Sequence, residues 1–172
     1  MKIQCKVKGI SPYIMHKFVV EESTTSRAKK VYDPVIDAEK VTYRNDEGKL
    51  VIPSAHFKAA MVKAGTDFKM TGRKTYKEYI KSGVMFDDIE ILLDQQKYEV
   101  YSCPVVIQRA RIMRSRPMIK DWSCTFTFEI TDEMMNQTVV KEILEAAGKY
   151  KGVGDNRPEF GRFEVTEFKK LD

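Results

Sequence analysis

The pattern of apolar and polar positions along the chain predicts four strands of the core. Residues 2–8 and residues 122–130 alternate with period two, which is the pattern of a strand with one buried face. Residues 84–93 are rich in large and β-branched apolar side chains and predict a third strand. A fourth is expected to begin at Phe163. The alternation is clearest in residues 122–130, which we therefore place at the centre of the sheet.

Apolar residues spaced three and four apart predict helices between these strands. Two stripes carry this spacing, one made of Phe57, Ala60, Met61 and Ala64 and the other of Val140, Ile143, Leu144 and Ala147. Ser54 is expected to cap the helix of the first stripe, and Thr131 the helix of the second, which Gly148 should end. Two shorter helices are predicted over residues 35–42, after Asp33 and Pro34, and over residues 74–81.

The order of these elements predicts an α+β fold with a ferredoxin-like βαββαβ core. In that fold the sheet is antiparallel, both helices cover one face, and the first and third core strands lie in the middle. We expect a single domain over residues 1–172, with an insertion at about 19–50 and a β-hairpin arm at about 95–118. The uncovered face of the sheet should carry Lys2, Lys6 and Lys8.

The composition permits a polyanionic partner without requiring one. Thirty Lys and Arg residues against 25 Asp and Glu residues give a net charge of +5. Cys5, Cys103 and Cys124 are far apart and form no CxxC pair, so we expect small buried thiols in a reducing compartment. No apolar run approaches the roughly 18 residues that span a bilayer. We therefore expect a cytoplasmic protein that uses no membrane, metal or cofactor.

Residues Gly148–Phe163 are predicted to form a glycine-rich loop between the last helix and the last strand. Glycine lets backbone amides approach an anion, arginine pairs bidentately with phosphate, and an aromatic ring stacks on a base. The alternative is a tight structural connection whose glycines only make turns. The residues predicted to contact nucleic acid in this loop are Lys151, Gly152, Gly154, Arg157, Phe160 and Arg162.

The predicted arm holds the densest basic stretch of the chain, with Arg109, Arg111, Arg114 and Arg116 within eight residues. Alternate residues of an extended chain lie about 7 Å apart, which is close to the spacing of successive phosphates. We therefore predict that these arginines bind a nucleic-acid backbone. The alternative is that they form surface ion pairs with nearby carboxylates, which contribute little to stability.

A polar segment over residues 21–30 lies within the predicted insertion. Its cations, Arg27, Lys29 and Lys30, could contact phosphates if the segment is ordered. A solvated stretch with no binding role accounts for the same composition.

His16 and His56 are the only histidines and the only weak candidates for catalysis. Either could act as general acid or base in a metal-independent ribonuclease. A histidine without a fixed partner is, however, more often an ordinary surface residue. The sequence shows no carboxylate cluster, P-loop, HExxH or catalytic-triad pattern.

Three short motifs resemble the RAMP superfamily of CRISPR-associated proteins. Leu50–Ala60, which contains Ile52-Pro53 followed by Phe57-Lys58, is similar to the strand that leads into the first helix of those proteins. Ile10-Ser11-Pro12-Tyr13 resembles the segment that follows their first strand. The loop over Gly152–Phe163 occupies the position of their glycine-rich loop.

The resemblance implies a ferredoxin-like, RRM-type domain that binds single-stranded RNA. The protein would be either a repeating subunit on a guide RNA or a stand-alone member of the superfamily from a phage or another mobile element. The arm would correspond to the thumb-like hairpin of the backbone subunits.

The sequence thus predicts a non-enzymatic protein that binds single-stranded nucleic acid, with RNA preferred over DNA. Two alternatives remain open at this stage. One is a metal-independent endoribonuclease of the RAMP type, and the other is an assembly subunit that self-associates through its arm and binds no nucleic acid.

Overall fold

A computed structural model describes residues 1–20 and 32–171 of the protein. The predicted contacts of Arg27, Lys29 and Lys30, and part of the predicted insertion, lie outside these residues. The described part contains short and long strands, α-helices and one π-helical turn, in the chain order β1 (Lys2–Gly9), β2 (Tyr13–Ile14), α1 (Pro34–Lys40), β3 (Val51–Pro53), α2 (Ser54–Ala64), α3 (Lys77–Gly83), β4 (Val84–Phe86), β5 (Glu90–Leu92), β6 (Glu99–Ile107), β7 (Ala110–Ile119), β8 (Ser123–Ile130), α4 (Gln137–Ala146), the π-helical turn (Ala147–Lys151) and β9 (Phe163–Leu171).

The core sheet is antiparallel and has the strand order β4-β8-β1-β9. The two central strands, β1 and β8, pair in register from Lys2 opposite Glu129 to Lys8 opposite Ser123. β9 pairs with the other edge of β1, with one irregularity between Lys6 and Val7. With α2 and α4, these strands form the βαββαβ arrangement, so the predicted ferredoxin-like α+β fold is confirmed.

The two core helices bury their apolar stripes against one face of this sheet. The side chains of Ile3, Cys5 and Val7 are fully buried from the strand side. The ring of Phe57 in α2 lies 4.7 Å, centroid to centroid, from that of Phe126 and 5.3 Å from that of Phe163. All residues of both predicted stripes are buried: Phe57, Ala60, Met61, Ala64, Val140, Ile143, Leu144 and Ala147.

The opposite face of the sheet is exposed, but it is not uniformly basic. The three lysines of β1 lie next to carboxylates of neighbouring segments, since cross-strand partners share a face. Lys6 pairs in register with Glu167 and Lys8 with Glu164. Lys2 lies 2.8 Å from a carboxylate oxygen of Asp87. The face therefore alternates in charge and offers no continuous surface for a polyanion.

Both helix caps predicted for the core helices are wrong, and tertiary contacts explain why. Ser54 is the first residue of α2, not its cap, because β3 runs directly into the helix and the Ser54 amide donates to Ile89 O at 2.8 Å. Thr131 is held by Gly83, to whose carbonyl its amide donates at 2.9 Å. Asn136 caps α4 instead, because its Oδ1 accepts from the Thr138 amide at 2.8 Å.

Gly148 does not end the last helix as predicted. The helix continues through it into the π-helical turn, and the backbone first takes a positive φ at Gly152. Position 148 needs glycine because a Cβ there would lie 2.2 Å from the carbonyl oxygen of Phe163. The glycine therefore permits close packing of the turn against β9 rather than a left-handed helix end.

The strand predicted over residues 84–93 is divided into β4 and β5, which belong to different sheets. β4 pairs with β8 at the edge of the core sheet, whereas β5 pairs with β3 in a separate two-stranded ribbon. The polar residues 87 and 88 lie at the break, where the Asp87 amide donates to Thr127 O. An edge strand can turn away from its sheet once a polar residue breaks the apolar pattern.

The predicted hairpin arm is present and consists of β6 and β7 joined by Gln108 and Arg109. These two residues have φ values of 47° and 68°, as a tight two-residue hairpin turn requires. Together with β2 the arm forms a three-stranded sheet of order β2-β7-β6. Proline usually stops a strand, but β7 passes through Pro117 to Ile119, because Pro117 serves only as an acceptor for the Met15 amide.

We expect Phe57→Ala to lower the free energy of unfolding by about 3–5 kcal/mol, because the substitution leaves a cavity between three packed aromatic rings. Phe18→Ala is the matched control, since Phe18 is 85% exposed and its removal should cost less than about 0.5 kcal/mol. Urea denaturation of both variants measures the difference. Equal stability of the two would contradict the packing described for α2.

Candidate nucleic-acid interface

The glycine-rich loop, residues 152–162, is fixed by backbone hydrogen bonds to the segment that follows β1. The amide of Gly161 donates to Pro12 O at 2.7 Å, and that of Asp155 donates to Ile14 O at 3.0 Å. The amide of Arg162 donates to the hydroxyl of Ser11 at 2.9 Å. The loop therefore has a defined conformation set by contacts distant in sequence.

Gly154 shows why this loop needs glycine. Its φ is 81°, and a Cβ at this position would lie 2.4 Å from the ring of Tyr13 and 2.6 Å from Ile14 O. No other residue fits this backbone without displacing β2. A tight structural connection is therefore sufficient to explain the glycine at position 154.

The loop amides are largely engaged within the protein. The amide of Gly152 donates to Ala147 O, and that of Val153 donates to Gly161 O, each at 2.9 Å. With the amides bonded to Ser11, Pro12 and Ile14, little of the loop backbone is left for a phosphate. A phosphate at this loop must therefore be bound mainly by side chains rather than by a nest of amides.

The base of the arm contacts the glycine-rich loop at two points. Arg116 in β7 places Nη1 2.9 Å from Oδ2 of Asp155, and Arg116 is only 9% exposed. Beside this ion pair, the rings of Tyr101 and Phe160 lie 5.6 Å apart, centroid to centroid. The two basic stretches singled out in the sequence thus meet, with Arg116 turned inward.

The remaining arm arginines differ in their surroundings. Nη1 of Arg114 lies 3.9 Å from Oδ1 of Asp37 in α1, and its side chain is 38% exposed. Arg109 and Arg111 are exposed at the tip, with no carboxylate of the described residues within 4.0 Å. Six residues of β7 separate Arg116 from the tip, so Arg116 lies about 20 Å from the tip.

Two loop arginines are also exposed and unpaired among the described residues. Arg157 and Arg162 have no carboxylate there within 4.0 Å. Lys151 is half-buried, and its Nζ lies 3.0 Å from Oδ2 of Asp67. Of the predicted contacts, Arg109, Arg111, Arg157 and Arg162 are therefore the cations that remain accessible and unneutralised.

A polar cluster that the sequence did not predict lies beside the loop. Nδ1 of His56 is buried without a hydrogen-bond partner, and Tyr43 packs edge-on against this ring at a centroid distance of 5.5 Å. Burial, together with the charge of Arg157, holds the pKa of His56 below its usual value. His16 is half-exposed, and its Nδ1 lies 3.6 Å from Oδ2 of Asp155.

Sequence reasoning missed the roles of Tyr43 and Asp155. Tyr43 precedes a turn and Asp155 lies among glycines, so neither position carries a local pattern that indicates a site. Burial, followed by the charge of Asp155, raises the pKa of Tyr43. Tyr43 lies beside His56, and Asp155 beside His16, only because the chain folds these distant segments together.

A cavity of about 780 Å³ lies between the arm, α1 and residues 16–20. Its walls are mainly apolar, with Phe18, Val41 and Val105 among them, and two of its cations are Lys17 and Arg114. The cavity reaches from His16, in the polar cluster, to Val105 and Arg114 in the arm.

Within residues 1–20 and 32–171, no group of three His, Cys, Asp or Glu side chains is arranged to hold a metal ion. In the same ranges, none of the helices has the length and apolar character needed to cross a bilayer.

The comparisons with known proteins show the fold. No protein-family model and no curated protein matches the sequence. Sixty-eight chains of solved structures do match. One is a chain of the cryo-EM structure of the Type III-B Cmr-beta bound to cognate target RNA, with a TM-score of 0.54 and 10% sequence identity. The match covers 98% of this protein and 59% of that chain, so this protein spans little more than half of its structural neighbour.

We expect Arg116→Gln to destabilise the protein by about 1–3 kcal/mol, because it leaves the carboxylate of Asp155 without its cation in a half-buried site. Arg114→Gln is the control, since the 3.9 Å contact to Asp37 is long and exposed and should contribute less than about 0.5 kcal/mol. A double-mutant cycle with Asp155→Asn measures the coupling. Strict additivity would show that the arm is not joined to the loop through this pair.

Proposed function

We propose that this protein binds single-stranded RNA along the surface that joins the arm to the glycine-rich loop. The observation that carries the proposal is the junction at the base of the arm, where Arg116 meets Asp155 and Tyr101 meets Phe160. The accessible arginines of the loop and of the arm tip have no carboxylate partner among the described residues. A strand that crosses it would meet cations on both sides of an aromatic contact.

The residues have different roles in this proposal. Arg157 and Arg162 contact phosphates from the loop, and Arg109 and Arg111 contact them from the arm tip. Phe160 offers a ring for stacking, with Tyr101 behind it. Arg116 is a positioning residue that holds the arm against the loop. Gly152 and Gly154 shape the loop rather than bind, and Lys151 lies at the border of the surface.

The preference for RNA is supported by two independent similarities. The structural neighbour belongs to a complex that holds target RNA, and the sequence motifs resemble the RAMP superfamily. Both favour a CRISPR-associated or phage-encoded RAMP-like protein over a general binder of single-stranded DNA. The mixed charge of the open sheet face supports binding at the loops rather than across the strands.

The double variant Arg157→Ala/Arg162→Ala tests the loop contacts. We expect its affinity for a fluorescein-labelled single-stranded RNA to fall about 10- to 100-fold in fluorescence anisotropy at low salt. The slope of log affinity against log salt should decrease by roughly 0.7 for each phosphate that the variant no longer neutralises.

The control for this measurement is Lys6→Ala/Lys8→Ala, which removes the same charge from the open sheet face and should change affinity little. A matched DNA strand measures the preference for RNA. Failure of the wild-type protein to bind any single strand at low salt would overturn the proposal, as would an equal decrease of affinity in the two double variants.

RNA cleavage is a second candidate function, favoured by the buried and unpartnered Nδ1 of His56. Because the pKa of His56 is lowered, its imidazole is neutral at pH 7 and suited to act as a general base. Arg157 is close enough to His56 to lower its pKa and could hold the scissile phosphate. Tyr43 orients the ring from the side.

Incubation of labelled RNA with excess protein and EDTA distinguishes cleavage from binding alone. If the protein cleaves, His56→Ala should abolish product formation, whereas His16→Ala should reduce it less. The rate should fall as the pH decreases through the lowered pKa of His56, because the base becomes protonated. Intact RNA under these conditions excludes this candidate and leaves the binding proposal unaffected.

A further inference from the structure

A second basic surface lies outside the predicted site, in the loop between α2 and α3. The loop is a short hairpin in which Lys69 pairs with Thr75. The amide of Met70 donates to Lys74 O at 2.8 Å, and that of Tyr76 donates to Phe68 O at 3.0 Å. We name residues 69–77 the basic loop. Its hydrogen bonds give it a defined shape from which Arg73 and Lys74 project as exposed side chains.

The charge around the basic loop is concentrated and largely unneutralised. From Lys63 to Lys81 the chain carries six cations and two carboxylates, a net charge of +4 in a protein whose total is +5. Asp67 is paired with Lys151, which lies outside this stretch, and Glu78 lies at 4.0 Å from Lys77. The cations with no carboxylate of the described residues within 4.0 Å are Lys63, Lys69, Arg73, Lys74 and Lys81.

A cavity of about 450 Å³ opens beside the basic loop. Lys74 and Lys77 line it together with the carboxylates of Glu78 and Asp132, and the half-buried ring of Tyr79 supplies an apolar wall. That ring packs at a tilt against the ring of Tyr76, with a centroid distance of 6.5 Å. Cations next to an oriented aromatic ring are the combination that binds a nucleotide of a single strand, through phosphate and base together.

The basic loop is connected to the proposed RNA surface. Asp67, two residues before the basic loop, pairs with Lys151 at the end of the π-helical turn. The glycine-rich loop, which begins at Gly152, follows Lys151 directly in the chain. A strand that leaves the loop arginines in this direction would pass Lys151 and then reach the basic loop.

We propose that the basic loop is a second contact for the same RNA strand, which extends the binding surface beyond the glycine-rich loop. Lys69, Arg73 and Lys74 bind phosphates, and one base lies in the cavity against Tyr79. This inference rests on the proposed function, because it assigns the direction in which the strand continues. An acidic protein segment is the other partner that such a surface could attract, and the experiment separates the two.

The test compares single-stranded RNAs of about 8 and about 24 nucleotides, one within and one beyond the roughly 4–16 nucleotides that a single compact domain binds. The variant is Lys69→Gln/Arg73→Gln/Lys74→Gln, whose side chains are exposed. The control, Lys6→Gln/Lys8→Gln/Lys170→Gln, removes three exposed charges from the core sheet. Thermal unfolding of both variants checks that the fold is retained.

We expect wild-type protein to bind the longer RNA more tightly, and the affinity of the basic-loop variant for that RNA to fall at least about tenfold. Its salt slope should decrease by about 2, as the removal of three phosphate-binding cations predicts. Affinity for the short RNA should stay within about twofold, because the loop and arm arginines still bind it. The Arg157→Ala/Arg162→Ala variant, in contrast, should bind both strands more weakly.

The two proposals fail in different ways. If wild-type protein binds neither RNA at low salt, RNA binding itself is overturned. If wild-type protein binds both but the basic-loop variant matches the control variant on the longer RNA, the second contact alone is overturned, and an acidic protein becomes the better partner for this surface.

Discussion

Residues 12–14 pack between the glycine-rich loop and β7, and this contact determines the position of the arm relative to the core. On one side the glycine-rich loop donates amides to Pro12 O and Ile14 O. On the other side β2 pairs with β7, with Tyr13 opposite Ile119. Because a Cβ at Gly154 would collide with Tyr13, the loop can approach only through glycine. A change in this contact would therefore move the arm, the loop and the ion pair between them together.

This arrangement separates structural residues from those available to a ligand. The loop amides and the guanidinium of Arg116 hold the arm against the core, so they are largely occupied within the protein. The arginines farther from the junction have no such partner among the described residues. A phosphate chain would therefore be bound through long side chains over a broad surface. Such binding depends little on the nucleotide sequence and strongly on the salt concentration.

The distribution of charge differs between the open sheet face and the loops. Cross-strand pairing places Lys6 opposite Glu167 and Lys8 opposite Glu164, so charges of both signs alternate across the sheet face. Most of the net charge instead comes from the stretch that contains the basic loop. The polar cluster around His56 adds a half-buried imidazole whose pKa is lowered by burial, a feature that binding alone does not require.

How far the sequence predicted the structure depends on the range of the interactions involved. The strands over residues 2–8 and 122–130 and the apolar stripes of α2 and α4 were predicted correctly, because their periodicity records which face is buried. The caps at Ser54 and Thr131 were not, because backbone groups distant in sequence took over the hydrogen bonds. The division of residues 84–93 between two sheets was also missed, because β4 and β5 pair with strands that lie far apart in the sequence.

The candidate site shows the same limit. Basic and aromatic residues could be recognised in the chain, but their partners could not. The sequence by itself determined the ferredoxin-like order of elements, the arm and the residues with suitable chemistry. Only the tertiary structure decided that Arg116 pairs with Asp155, that Tyr43 meets His56, and which arginines stay accessible. Periodicity is a local property that a sequence carries directly, whereas an ion pair joins residues that only the folded chain brings together.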